Sequence, residues 1–324
     1  MRNQWMLVWV GGGLLCGARA DEKLVLSRVF VDQVKNTAAI DLDRQFAVDA
    51  HLKTPHRVKS GGDDGDIHMA GRSDNIQLPT VAEIVNARLE KPAVTDLNGT
   101  SASQKVSMSG VWRIWFEHLG TEDMIQGDQV EVPSDSNPAH VFEIHPITDF
   151  DGSDVSRSSF VPIAGYTAYP ASKAFPYYEK QQATIERNAT AISITSTKSQ
   201  YNYAEFIMEL AGNVVCTDAS GQQVSGSGSS SCAGDPKTRS LFVLANIFDS
   251  EEQEEPLTEQ VRRMVFVNGT GPADQVAKLS KGDRLHVLGI PRVNLAEVSA
   301  MADGETMSGM LPYEMIIVAV LPEE

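Results

Sequence analysis

The amino-acid sequence predicts an all-β protein with a minor helical part, built as two small β-barrels in tandem behind a signal peptide. The main observation is a repeat. Val106-Ser-Met-Ser-Gly110-Val-Trp-Arg113-Ile114 can be laid on Leu285-His-Val-Leu-Gly289-Ile-Pro-Arg292-Val293, so that Gly110 meets Gly289 and Arg113 meets Arg292. Each segment reads as a strand with a glycine bend. Each also has a short apolar strand upstream, residues 80–86 (TVAEIVN) and 241–247 (LFVLANI), and a closing strand downstream, residues 141–148 (VFEIHPIT) and 315–321 (MIIVAVL). A long repeat with several short strands per copy is a pattern of tandem β units.

Residues 1–20 hold Arg2, an apolar run from Trp5 to Leu15 and an Ala18-Arg19-Ala20 ending, the pattern of a secretory signal cleaved before Asp21. The apolar run is too short to span a bilayer, and no later segment is long enough, so the expectation is an exported protein, periplasmic or extracellular, without a transmembrane span. Residues 24–35 read as a lead-in helix or strand. Residues 38–52 alternate apolar and polar side chains and form a first strand. The turn Gly61-Gly-Asp-Asp-Gly65 leads into a second strand, 66–72, followed by a third, 80–86, and a polar stretch with a weak helix or loop. Strands 106–116 and 141–148 complete a barrel within residues 21–155.

Residues 156–188 form a linker rich in proline and aromatic rings. Its Tyr166, Tyr169, Tyr177 and Tyr178 read as packing residues, with stacking on a sugar or peptide as the alternative. The second barrel occupies residues 189–324. There, 192–210 form one or two strands, 241–248 another, and 272–279 a helix with Pro272 at its start and Lys281-Gly282 at its end. Strands 284–293 and 315–321 close it.

Three strands, a helix and two strands is the order of the OB-fold, a partly open Greek-key barrel. Residues 281–289, Lys-Gly-Asp-Arg-Leu-His-Val-Leu-Gly, resemble the fourth strand of single-strand-binding OB domains. Over about residues 60–150 the chain resembles a group of uncharacterised exported bacterial β-barrel proteins that carry a DGD-x-H strand and an E-[IL]-H-P-[VI] strand. Here those strands read Asp64-Gly-Asp66-Ile-His68 and Glu143-Ile-His145-Pro-Ile147, with Gly110-Val111 and His118 between them. The resemblance implies fold and location, and no reaction. The Asp-Gly-Asp run also resembles the active-site strand of staphylococcal-nuclease-like OB enzymes, but Ile67 stands in place of threonine and the arginine-bearing downstream motifs are absent.

The 324-residue chain has 27 Lys and Arg against 43 Asp and Glu, a formal charge of −16. Loss of residues 1–20 removes Arg2 and Arg19 and no acid, which takes the charge to −18. Such a surface repels phosphate backbones, whose binding depends on Lys and Arg displacing counterions. Protein, peptide or glycan partners are therefore expected ahead of nucleic acid. Beyond the signal only Cys216 and Cys232 remain, flanking a Gly/Ser-rich tract. In an exported chain they are expected to form one disulfide. The acidic residues of 249–255 read as a solvated loop.

Strand parity organises the first barrel. On the strand from Val106, the even positions through Phe116 are nearly all apolar and face the core, because side chains alternate across a strand. The odd face then shows Arg113, Trp115 and Glu117. Glu143 and His145 on the closing strand, and Asp66, His68 and Arg72 on the second, face outward with them, and His118 stands at its strand's end. Arg113, Trp115, Glu117 and Arg72 are candidate ligand-binding residues. Asp66, His68, His118, Glu143 and His145 are candidate metal ligands, since imidazole and carboxylate on one face suit a divalent cation. Against that stands the simpler expectation that polar residues face outward because outward is wet. Neither HExxH, paired CxxC, GxSxG nor a phosphate-cradling glycine loop is present.

Two function classes follow. The preferred one is an exported, non-catalytic binding module with no cofactor, taking a protein, peptide or glycan on the outer face of either barrel. The alternative is a metal-dependent hydrolase, nuclease-like or phosphoesterase-like, centred on His68, His118, Glu143 and His145. A second-copy closing strand of 315–321 lacks any charge, which assigns chemistry to the first barrel alone.

Overall fold

Alternating strands and two glycine bends produce two closed rings and a third sheet joined to both. The computed structural model describes residues 21–58, 64–155, 168–218, 220–224, 232 and 239–322. The first half contains β1 (Glu22–Ser27), α1 (Arg28–Val34), β2 (Ala39–His51), β3 (Ile67–Ser73), β4 (Thr80–Ile84), α2 (Lys91–Gly99), β5 (Gln104–His118), β6 (Met124–Ile125), β7 (His140–Phe150) and β8 (Ser153–Asp154). After it come β9 (Tyr169–Pro170), α3 (Ala171–Tyr178), β10 (Gln182–Arg187), β11 (Ala191–Ser196), β12 (Ala204–Leu210), β13 (Val215–Asp218) and β14 (Arg239–Phe248). The chain finishes with β15 (Arg262–Val267), α4 (Gly271–Val276), β16 (Arg284–Val293), α5 (Leu295–Val298), β17 (Thr306–Met310) and β18 (Tyr313–Val320).

In the first ring the strands follow the order β2-β3-β4-β7-β5 and β5 returns to β2, with β4 and β7 parallel and the other pairs antiparallel. The second ring runs β12-β14-β15-β18-β16 and back to β12, again with a single parallel pair, β15 and β18. Helix α2 precedes the fourth strand of the first ring and α4 that of the second, so both have the OB order. The fold is all-β with minor helix, in two barrels. Among the described residues no helix is long and apolar enough to cross a membrane. Residues 1–20 and Tyr166 lie outside the described residues.

Three strand assignments differ from the sequence reading. The counterpart of residues 80–86 is β15, while residues 241–247 belong to β14, the second strand of their ring. Arg262 and Arg263 open β15 and break the apolar run that would have marked it. Residues 192–210 divide: β12 enters the ring, and β11 pairs with β1, Leu24 opposite Ile194. The resulting third sheet, β17-β10-β11-β1-β6, takes β1 and β6 from residues 21–155, β10 from 156–188, and β11 and β17 from 189–324. Finally, the last strand begins at Tyr313 and brings Glu314 into the sheet. The second copy therefore does carry a charge on its closing strand.

The glycine bends are equivalent. Gly110 stands opposite Ile147 and Gly289 opposite Ile317, each beside an irregularity in its ladder. A Cβ at Gly110 would meet Ile144 Cγ2 at 2.5 Å and the Pro146 carbonyl at 2.7 Å, so only glycine lets β7 pass this close. Cys216 and Cys232 form a disulfide with Cα atoms 5.5 Å apart.

The rings pack through β5 and β16, with Ala38, Ala39 and Val111 of the first against Leu288, Ile290 and Ile316 of the second. The repeated arginines cross this seam reciprocally. Arg113 Nε donates to the Pro291 carbonyl at 3.0 Å, and Arg292 Nη1 donates to the Trp112 carbonyl at 3.1 Å. Each guanidinium thus reaches the residue preceding the other. Each also bonds the glutamate opposite it on the closing strand, Arg113 with Glu143 at 2.5 Å and Arg292 with Glu314 at 2.6 Å. Both arginines are fully buried.

Candidate functional site

The DGD-x-H and E-I-H-P segments meet on the face of the first barrel where the second barrel lies. Gly65, at φ +71°, turns the chain into β3, and the Asp64 and Gly65 carbonyls accept from Asn86 and Ala87 just past β4, which fixes the turn against that strand. His68 on β3 stands opposite Glu83 on β4. Ala82 is paired with Ile144, so Glu83 and His145, one residue on, lie side by side. Glu143 is two residues before His145 and faces Arg113 on β5. Four adjacent strands thus align His68, Glu83, His145, Glu143 and Arg113 on one face.

Their contacts form one network. Tyr203, just before β12 of the second barrel, donates its hydroxyl to Asp64 Oδ2 at 2.5 Å, and His145 Nε2 lies 2.6 Å from the same hydroxyl. The other ring nitrogen, Nδ1, is 3.0 Å from Glu83 Oε2 and 3.4 Å from Glu143 Oε2. Glu83 Oε1 is 3.6 Å from His68 Nε2, which pairs closely with Asp66. At the other end His140 Nε2 lies 3.1 Å from Glu143 Oε1, and His118 stacks on His140 with ring centroids 4.7 Å apart.

Burial sets the electrostatics. It opposes a charged imidazole at His145, but the carboxylates of Glu83, Asp64 and Glu143 outweigh it and hold the ring well above the usual histidine range. At His68 burial likewise loses to Glu83 and Asp66, which push that ring up to about 9. Burial pushes the Glu83 carboxyl up to about 7 against the pull of His145 and His68. Glu143 behaves oppositely: despite burial, Arg113 and His140 hold it well below the carboxylate range.

The parity reading identified which side chains share a face, and the structure corrects what that face meets. Arg113, Glu143 and His145 are at most 1% exposed, with Pro291 and Tyr203 of the second half against Arg113 and His145, and Asp66 is 5% exposed beside His68. Of the expected ligand-binding residues, Arg113 is committed to Glu143 and Glu117, and Trp115 is buried edge-on to Tyr178. Tyr178 therefore packs, as Tyr169 and Tyr177 do against Tyr201. Arg72 stands apart, in an ion pair with Asp49. Of the expected metal ligands, Asp66, His68, Glu143 and His145 come together, and His118 joins only through His140.

Among the described residues, three groups of side chains present donor atoms within 4.8 Å of one another: His56, Asp66 and His68; Asp64, Glu83 and His145; and His118, His140 and Glu143. His56, Asp64, Glu83, His140 and Tyr203 were not among the candidates read from sequence. A lone acid inside the apolar run Thr80–Ile84 was a usable signal for Glu83. Tyr203 had none, since a distant segment delivers it.

The second barrel lacks this cluster. Its Glu314 matches Glu143, so Ile316 matches His145; Ile316 pairs with Val265, and Val265 with Phe242, which match Glu83 and His68. Phe242, Val265 and Ile316 are packed in the apolar seam. Only the arginine–glutamate pair is common to both copies.

No protein-family model and no curated protein matches the chain. Among solved structures it is similar to the single-stranded DNA binding protein from Thermus aquaticus, at 9% identity over 88% of this chain and 92% of that one, with a TM-score of 0.21. A deletion mutant of the same protein aligns at 8% identity over 88% and 94%, with the same TM-score. At that score the likeness carries nothing about a ligand.

Proposed function

We propose that the protein is an exported binding module in which two interlocked barrels hold a loop cleft in place for a cationic peptide or protein segment. The supporting observation is a cleft of about 580 Å³ between the β5–β7 connection and the β3–β4 turn. Glu122, Asp123, Asp128 and Glu131 line it together with Ile125 and Val132, which are 41% and 60% exposed. Acids interleaved with exposed apolar side chains suit a ligand that alternates Lys or Arg with apolar residues. Among the described residues no aromatic ring lines the cleft, which speaks against the stacking that a glycan site uses, and its acids repel phosphate.

The hydrolase reading has one observation in its favour, the convergence of Asp64, Asp66, His68, Glu83 and His145. Burial weighs against it, since His145 and Glu143 leave a substrate no approach from the covered side. Fluorescence anisotropy with labelled basic-apolar, acidic-apolar and neutral peptides, and with oligosaccharides, tests the binding reading. The basic-apolar peptides should bind, and Glu122→Lys combined with Glu131→Lys should weaken them by up to roughly thirtyfold, two lost charge contacts at under about 1 kcal/mol each. Equal binding of acidic peptides, or indifference to the reversal, would overturn it.

A further inference from the structure

The structure assigns a metal site to Asp64, Glu83 and His145 of the first barrel, for a first-row transition dication of the Mn2+ or Zn2+ class. This goes beyond the binding reading and stands or falls separately.

Three observations carry it. First, one donor atom from each residue lies within 4.8 Å of the others, and all three side chains are buried. Donors held about 2.1 Å from one ion stand roughly 3–4 Å apart, so each needs to close by well under about 1 Å. One imidazole with two carboxylates is a borderline donor set, which favours first-row dications over Ca2+ or Mg2+.

Second, His145 has a fully buried nitrogen with nothing bonded to it. The Tyr203 hydroxyl lies 2.5 Å from Asp64 Oδ2 and 2.6 Å from His145 Nε2, so Nε2 is taken up by the tyrosine and Nδ1 is the nitrogen left for a further partner. That nitrogen has no hydrogen-bond partner, although Glu83 and Glu143 oxygens lie 3.0 and 3.4 Å away. A dication placed between this nitrogen and the Glu83 oxygen would take the position that a proton on Nδ1 otherwise holds, and its binding releases that proton. Tyr203 meanwhile orients the ring through Nε2, as the hydrogen-bond partners of metal-bound histidines do.

Third, the fold does not need this cluster. At the matching positions the second barrel places Phe242, Val265 and Ile316 and closes the same ring with the same register. Buried ionisable groups can often be replaced by apolar side chains without loss of stability, and the second copy is built that way. The arginine–glutamate pair, present in both copies, accounts for the seam; Asp64, Glu83 and His145 are extra to it. Glu143 is already neutralised by Arg113, which leaves Asp64 and Glu83 as the acids a cation would serve.

The test uses the full mature chain, purified without a histidine tag and stripped with a chelator. Titration with Mn2+ and with Zn2+, followed by calorimetry, should show one ion per chain and a higher melting temperature with metal. Glu83→Gln and His145→Gln should each weaken binding by about a hundredfold or more, while His286→Gln, on the second barrel, should leave it unchanged. Should either single variant fail to fold, the triple variant His68→Phe, Glu83→Val, His145→Ile copies the second barrel and should fold without binding metal. Absence of stoichiometric binding, tighter binding of Ca2+ or Mg2+ than of Mn2+ and Zn2+, or retention of metal by the folded triple variant overturns the assignment. None of these results bears on peptide binding at the cleft.

Discussion

Replacing Arg292 with methionine is the sharpest test of how the two barrels are held together. The guanidinium is fully buried, donates to Glu314 at 2.6 Å and to the carbonyls of Thr37, Ala38 and Trp112 at 3.0–3.3 Å, and lies 3.6 Å from the centroid of the Trp112 ring. Methionine fills much of the space but supplies no donor. Glu314, also fully buried, keeps only Arg263. Breaking one side of a buried pair costs about 3–5 kcal/mol, because the remaining charge is left without its partner. The abandoned carbonyls and the lost ring contact add to this, while Arg263 offsets part of it, so about 4 kcal/mol is expected. For a chain of this size that corresponds to a melting temperature lower by roughly 6 °C.

Pairing Arg292→Met with Glu314→Leu removes both charges and should recover part of the loss, giving a coupling of about 2–3 kcal/mol in a double-mutant cycle. Urea unfolding, followed by tryptophan fluorescence and by circular dichroism, measures both. It should also show one transition in the parent and a separation of the two probes in Arg292→Met, because the arginine ties the second barrel to backbone of the first. A loss below about 1 kcal/mol, or strict additivity of the two substitutions, would refute the interlock.

Gly110→Ala should destabilise by about 3 kcal/mol or more through overpacking, since its Cβ would meet atoms at 2.5–2.9 Å that include backbone; Gly289→Ala, with nearest atoms at 3.0–3.3 Å, should cost about 1 kcal/mol. Chemical denaturation of the pair checks the order, and a reversed order would contradict the packing described. Trp115→Ala should cost about 3–5 kcal/mol as a buried aromatic truncation, and a surface-like effect under about 1 kcal/mol would mean that the ring is exposed in solution. The double change Cys216→Ala, Cys232→Ala releases a cross-link with a sequence separation of 16 and should lower stability by at most about 3 kcal/mol. Free-thiol titration of the unreduced parent should find neither cysteine, and finding both would remove the disulfide.

Much of the fold was legible because its signals are local. Val106, Met108, Trp112, Ile114 and Phe116 alternate with neighbours that are polar or small except for Trp115, and they do enter the main core. Gly110 and Gly289 mark the same bend in both copies. Where a strand broke the pattern it was lost: β15 opens with two arginines, and Glu314 precedes the apolar run that was taken as the strand. The third sheet was illegible for another reason. Leu24 pairs with Ile194 across about half of the chain, and nothing near either residue announces the other.

The candidate site divides in the same way. The sequence by itself determined that Asp66, His68, Glu143 and His145 share one face, because the pleat imposes a period of two wherever the chain is extended. It also determined the two rings and the pairing of Cys216 with Cys232, the only cysteines beyond the expected signal. Only the tertiary structure decided that this face is closed over by a second barrel, that Tyr203 arrives there to orient His145, and that Glu83 stands between the two histidines. A backbone period fixes the side on which a residue lies. What lies against that side is set by contacts between segments far apart in the chain, and a buried arginine or histidine reads in sequence like an exposed one.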